Sequence, residues 1–77
     1  MQIEINPYIV ADSEICGGTP TFKGTRIMAW QIIELLGAGI TIDEILKRYF
    51  PQLSKHAILS ALIYASKTIE DEKFIAF

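Results

Sequence analysis

The first third of the chain alternates between short apolar stretches and turn residues, which is typical of extended chain. Ile3-Glu4-Ile5 has the period of two that a strand requires, and Asn6-Pro7 interrupts it. Residues 20–22 and 25–27 flank Lys23-Gly24, a two-residue connection whose glycine accepts the positive φ of a tight turn. This pattern predicts a small β-hairpin. Because Pro20 has no backbone N–H to donate, its strand is expected at a sheet edge.

From residue 28 the apolar period changes to that of a helix. Residues 28–36 are apolar on nearly every side, and only Gln31 and Glu34 are left to face water. The pattern predicts a central, buried helix. Gly37-Ala38-Gly39 is expected to end it, because glycine readily adopts the backbone conformation found at helix C-termini.

Two further helices have distinct start signals. Thr41 and Glu44 have the spacing of a capping box, and Ser54 is placed to cap the helix that begins after Pro51. A turn of about four residues joins the two helices. The predicted inner faces are Ile42, Ile45, Leu46 and Tyr49 on the second helix and Ile58, Ala61, Leu62, Ala65 and Ile69 on the third.

This order of elements predicts a mainly α, single-domain fold. A small N-terminal β-hairpin followed by three helices is the layout of a helix-turn-helix domain of the homeodomain or winged-helix kind. Residues 1–27 would form the extended and β-hairpin segment, residues 28–69 the three-helix core, and residues 70–77 an acidic and then apolar tail. Short helical hairpins also occur in proteins that never bind DNA, so the layout alone leaves the function open.

Composition limits the number of domains and points to self-association. The chain has 77 residues, of which 51% are hydrophobic and 21% charged. A chain of this length forms one core, and that core is too small to bury all of its apolar side chains. We therefore expect a homodimer or higher assembly. No apolar run is long enough to span a membrane, and the first residues lack a signal-peptide pattern. We therefore expect a cytoplasmic protein with no membrane partner.

The chain offers few residues for chemistry. A single cysteine, Cys16, excludes an internal disulfide framework, and with one histidine, His56, a zinc site or a Cys–His catalytic pair is not expected. Gly-rich phosphate loops and the common hydrolase motifs do not occur in the sequence. We expect a protein that is not an enzyme and that uses no cofactor or metal.

Charge is distributed unevenly along the chain. The net charge is −2, yet residues 23–67 carry an excess of three positive charges, while residues 1–22 and 68–77 are acidic. The middle of the chain therefore permits a surface that faces phosphates without requiring one.

Four separated motifs resemble the family known as domain of unknown function 433. They are Gly-Gly-Thr-Pro at residues 17–20, Gly-Thr-Arg-Ile at 24–27, Gly-Ile-Thr at 39–41 and Tyr-Phe-Pro-Gln-Leu-Ser at 49–54. They occur in the family's order, and the likeness spans residues 9–68. The resemblance implies a helix-turn-helix superfamily fold and a role like that of a VapB-type antitoxin, the partner of a PIN-like ribonuclease toxin.

Candidate DNA contacts lie in the basic middle of the chain. Residues on the outer face of the third helix would meet base edges in a major groove, and those late in the second helix would meet phosphates. Arg26 could clamp a phosphate or a carboxylate of a partner, or it could pair with Asp12 or Glu14 instead. The candidate residues are Arg26, Lys47, Arg48, Lys55, His56 and Ser60.

A second set of candidates is apolar and suits a dimer or partner interface. Leu59 and Ile63 lie one turn apart on the outer face of the third helix. The apolar tail could dock in a groove or extend a sheet of another chain, or it could pack against the N-terminal strand of its own chain. The candidate residues are Trp30, Leu59, Ile63, Tyr64, Phe74 and Phe77.

Two functions are consistent with these features. The leading hypothesis is a dimeric, antitoxin-like helix-turn-helix protein that binds a PIN-like toxin and double-stranded operator DNA. The alternative is a protein–protein interaction or dimerisation module that has the helix-turn-helix shape and does not bind DNA.

Overall fold

In the computed structural model, which describes residues 1–72, two N-terminal strands form an antiparallel hairpin. They are β1 (Gln2–Asn6) and β2 (Ile9–Asp12). The side-chain oxygen of Asn6 accepts hydrogen bonds from the backbone N–H groups of Tyr8 at 2.8 Å and Ile9 at 2.9 Å. Asparagine favours tight turns because its side chain bonds the backbone two residues on. The predicted strand and the break after it are confirmed, whereas β2 was not anticipated.

A third strand, β3 (Thr21–Phe22), pairs with β2 and completes a sheet of order β1-β2-β3. The strand next to Pro20 therefore lies at an edge, as predicted. Lys23-Gly24 forms the expected turn: the Thr25 N–H donates to the Phe22 carbonyl at 3.0 Å, and Gly24 has φ +78°. The second arm of the predicted hairpin is not a strand. After the turn, pairing is limited to a single bridge between Thr21 and Met28, flanked by two hydrogen bonds of 2.9 Å: the Phe22 N–H to the Ile27 carbonyl and the Ala29 N–H to the Pro20 carbonyl.

The helical part follows the sheet. It consists of α1 (Ala29–Gly37), a short α2 (Ile42–Glu44) that continues as a π-helical turn (Ile45–Tyr49), and the long α3 (Lys55–Asp71). A 3₁₀ turn (Cys16–Gly18) lies between β2 and β3. The architecture is therefore a small α+β domain.

The prediction of a mainly α domain with a three-helix helix-turn-helix core is wrong. A three-stranded antiparallel sheet contributes to the core, so the β part is not an appendage of a helical bundle. β2 could not be recognised from the sequence. Ile9 and Val10 are both buried, so this strand lacks the alternation of apolar and polar residues that marks a strand with one solvent-exposed face. The α-helical stretch expected for the second helix is also limited to three residues before the π-helical turn.

The core joins the sheet to all the helical segments. Ile9 and Phe22, paired across β2 and β3, pack into the same cluster as Ile32 of α1, Ile45 of the π turn and Ile58 of α3. Each of these side chains is at most 2% exposed. Burial of one large aliphatic or aromatic side chain stabilises a fold by about 1.5–3 kcal/mol. These five side chains therefore contribute a large part of the hydrophobic stabilisation between the elements.

The helix boundaries agree with the capping signals. Thr41 Oγ1 accepts from the Glu44 N–H at 3.2 Å, and the Glu44 carboxylate accepts in return from the Thr41 N–H at 3.3 Å. Ser54 Oγ accepts from the Ala57 N–H at 3.1 Å. α1 ends with the Ile40 N–H on the Leu35 carbonyl at 3.1 Å, the bond that closes a Schellman motif. The capping box, the Ser54 cap and the stop after residue 37 are confirmed.

Two predicted burial patterns are wrong. α1 is not buried all round, because Trp30 is half-exposed and only Ala29 and Ile32 of this helix are buried. In the π turn the Phe50 N–H bonds the Ile45 carbonyl at 2.8 Å, so Phe50 takes the place one turn beyond Ile45. Tyr49, which an α-helix would put there, is instead exposed.

The predicted tail falls partly outside the described residues. Residues 70 and 71 are the last turn of α3, and Phe74 and Phe77 lie beyond residue 72. Within residues 1–72, no helix has the length and apolar character needed to cross a bilayer.

Candidate interaction surfaces

The motif residues that precede α1 build a braced turn. The Thr25 hydroxyl donates to the Phe22 carbonyl at 2.8 Å and accepts from the Ile27 N–H at 3.0 Å. The Cys16 thiol donates to the Arg26 carbonyl at 3.6 Å, which ties the 3₁₀ turn to the same segment. Cys16 itself has φ +52°, a conformation that costs a non-glycine residue energy. The Gly-Thr-Arg motif therefore fixes the backbone here and leaves the Arg26 side chain exposed.

The predicted DNA-contact residues are exposed, with one exception. The Ser60 hydroxyl is half-buried and donates to the Ala57 carbonyl at 2.7 Å, so it is engaged within its own helix. Arg26 forms no ion pair with Asp12 or Glu14 within residues 1–72; Asp12 instead lies 3.9 Å from the N-terminal ammonium and accepts from the Glu14 N–H. Within residues 1–72, none of the exposed cations in the set forms an ion pair: Arg26, Lys47, Arg48 and Lys55.

These cations come from three separate parts of the chain, and the structure brings only some of those parts together. The turn around Gly24 and the start of α3 border one open cavity of about 300 Å³. The cation in its lining is Lys23, which sequence reasoning did not single out, although a lysine beside the turn glycine was a visible signal. Lys23 Nζ is 4.0 Å from the Glu4 carboxylate, which offsets its attraction for an anion. The cavity is lined by Pro7, Tyr8, Phe22, Lys23, Thr25, Gln52, Leu53, Ser54 and Ala57.

The outer face of α3 is apolar and uncovered by the described residues. Leu59 and Ile63 are exposed, as predicted, and Ile63 is 59% exposed. Leu62 and Ile69, expected on the inner face, are exposed as well, and the buried residues of this helix end at Ala61. The second half of α3 thus extends past the core. We call the set Leu59, Leu62, Ile63 and Ile69 the α3 apolar face.

Tyr64 and Trp30 differ in how they are placed. Tyr64 is half-buried and packs against the core of its own chain, so little of its ring is offered to a partner. Trp30 is 50% exposed and lies with Tyr49, which is 45% exposed, along a second groove of about 220 Å³. Sequence reasoning missed Tyr49 as a surface residue because it assumed an α-helical period through the π turn.

Residues 1–72 contain no group of three or more His, Cys, Asp or Glu side chains placed to hold an ion.

A protein-family profile matches most of the chain. The family profile described as "Protein of unknown function (DUF433)" matches residues 9–65. The chain belongs to the DUF433 family. This confirms the family that the four motifs indicated, and the matched range begins at the same residue as expected. In this DUF433 chain the motif residues around Gly24 serve the braced turn described above, and the structure does not have the helix-turn-helix core that the resemblance implied.

A curated relative supports the family assignment. The DUF433 chain is 32% identical over 57 residues to the uncharacterized protein y4eO of Sinorhizobium fredii (strain NBRC 101917 / NGR234). The match covers 74% of this chain and 25% of that protein, so the DUF433 chain spans about a quarter of the relative's length. No solved structure matches the chain.

Proposed function

We propose that the chain is an antitoxin-like protein-interaction module that binds a PIN-like ribonuclease toxin through the α3 apolar face. The observation that carries the proposal is the exposure of Leu59, Leu62, Ile63 and Ile69 on one helix, which extends past its own core. Isolated exposed apolar residues are ordinary, but four within three turns of one helix are typical of a surface that a partner covers. The ribonuclease as partner comes from the family resemblance.

Two further observations support a binding role. The matched segment corresponds to only a quarter of the S. fredii relative, which is typical of a module that is combined with further segments in that protein. Binding through apolar surface also agrees with the net charge of −2, because burial of apolar area rather than counterion release would drive it. A role beside an intracellular ribonuclease would place the chain in the cytoplasm and requires no chemistry from it.

The proposal predicts that a reading frame next to the gene encodes a PIN-like ribonuclease, and the test is co-expression of that protein with this chain. We expect the two chains to co-purify and the ribonuclease to lose activity on RNA. Ile63→Asp should abolish both effects, because a carboxylate in the centre of an apolar interface is left without water or a partner. Ile3→Asp is the matched control: Ile3 lies on β1 and is 60% exposed, against 59% for Ile63. Equal binding by the two variants would contradict the proposal.

Operator DNA is a second candidate partner. The observation in its favour is that Arg26, Lys47, Arg48 and Lys55 are exposed and free of ion pairs within residues 1–72. Unpaired cations of this kind bind phosphates without reading sequence. His56, at the exposed start of α3, would be the residue that affects which sequence is preferred. The salt dependence of binding separates this candidate from protein binding.

A further inference from the structure

The groove between α1 and the π turn combines aromatic rings with an acidic rim. Trp30 and Tyr49 stand on opposite elements, each about half-exposed. Leu35 and Phe50 are half-buried and give the groove an apolar floor, and Glu34 lies on its rim. Its volume is about 220 Å³, room for one side chain rather than a large ligand.

The polar groups of the groove are not equally available. The Trp30 indole N–H donates to the Met28 sulfur at 3.3 Å, so the ring offers a ligand its π surface. Gln31 Oε1 accepts from the Met28 N–H at 3.1 Å and is engaged. Glu34 is exposed, and within the described part of the chain its carboxylate makes no ion pair. Among residues 1–72, no cation lines the groove.

This chemistry selects one kind of occupant. The faces of tryptophan and tyrosine rings attract cations, a carboxylate binds a cation directly, and an apolar floor suits methylene groups. An anion would be repelled by Glu34, and a purely apolar side chain would desolvate that carboxylate without compensating it. Arginine fits best, because its planar guanidinium stacks on aromatic rings and bonds a carboxylate through two N–H groups.

We propose that the groove formed by Trp30, Tyr49 and Glu34 binds an arginine side chain presented by a partner protein. The groove lies on α1 and the π turn, whereas the α3 apolar face lies on another helix, so this site stands independently of the proposed ribonuclease binding. In a complex the groove would supply a charge-based contact and would select partners by one residue.

Trp30 is the only tryptophan of the chain, so its fluorescence reports on the groove without a label. The probe is N-acetyl-arginine amide, and the matched probe is N-acetyl-citrulline amide, which has the same shape and no charge. We expect a saturable fluorescence change in the millimolar range with the arginine probe, and binding weaker by about fivefold or more with the citrulline probe. Equal responses to both probes, or no saturation with arginine, would overturn the proposal.

Two variants assign the binding to the groove. Glu34→Gln should weaken arginine binding by about threefold, and Tyr49→Leu should weaken it by a similar factor. Glu70→Gln is the matched control, since it removes the same charge from the exposed end of α3 and should leave binding unchanged. Circular dichroism verifies that each variant is folded. If Glu34→Gln and Glu70→Gln bind alike, or if N-acetyl-lysine amide binds more tightly than the arginine probe, the arginine assignment is wrong.

Discussion

Ile9 and Phe22 are direct partners across β2 and β3, and both are buried beneath the helices. This pair makes the sheet a part of the core, so removing one member should destabilise the whole domain. We expect Phe22→Ala to lower the free energy of unfolding by about 3–5 kcal/mol. Ile3→Ala on exposed β1 should change it by less than about 0.5 kcal/mol. Urea denaturation measures both; similar midpoints would mean that the sheet is not integral to the core.

The hydroxyl groups of Thr21 and Thr25 differ in their hydrogen bonding. Thr21 is fully buried and its hydroxyl has no partner among residues 1–72, whereas the Thr25 hydroxyl makes two hydrogen bonds. Valine has the same shape without the polar atom. We expect Thr21→Val to raise the free energy of unfolding by about 1 kcal/mol and Thr25→Val to lower it by about 1–2 kcal/mol. Denaturant midpoints that move in the same direction for both variants would contradict this difference.

Alanine substitutions at Gly24 and Gly37 test whether the turn at Gly24 requires a positive φ. Neither has an atom within 4 Å of an added Cβ, so a clash affects neither substitution. Gly24 has φ +78°, and alanine there should cost about 1–2 kcal/mol through backbone strain. Gly37 is the last residue of α1, and alanine there should stabilise the chain by about 0.5 kcal/mol or more. Melting temperatures should therefore shift in opposite directions, and a common direction would refute the assignment of the turn.

The local features of this chain could be predicted more reliably than its architecture. Capping at Thr41 and Ser54 depends on a few neighbouring atoms, so the residue types alone were sufficient. β2 depends on pairing with distant residues and on burial of both faces, and neither leaves a periodic signal in four residues. The π turn changes the helical period without any residue type that marks it, so Tyr49 was assigned to the core.

Self-association is the fourth expectation. Nine large apolar side chains are exposed within residues 1–72, four of them on the α3 apolar face, so we expect a homodimer at micromolar concentration in the absence of another partner. A ribonuclease that binds the α3 apolar face would compete with the second copy for it, so this face is the one to disrupt. Light scattering of the full chain should give twice the 8.6 kDa of one chain, and Ile63→Asp should reduce the mass to that of a monomer. A wild-type monomer would exclude the dimer, and a dimer in both proteins would place its interface elsewhere.

The salt dependence of DNA binding decides between the two candidate partners. If the chain acts by apolar contacts, we expect no retarded band with duplex DNA from the gene's own upstream region, at salt concentrations of about 50 or 200 mM. If Arg26, Lys47, Arg48 and Lys55 each neutralise one phosphate, the logarithm of affinity should fall with a slope of about −3.6 per chain, at about −0.9 per contact.

Replacing Lys47 and Lys55 together by alanine should then bring that slope to about −1.8 and weaken binding to all sequences. The matched control replaces Lys23 and Lys67, which removes the same charge from cations outside the candidate set. His56→Ala should alter the preferred sequence while leaving the slope nearly unchanged. A shift with the full slope, reduced only by the first pair, would establish DNA as the partner. Phosphate contacts are strongest at the lower salt, so no shift there leaves protein binding as the function to pursue.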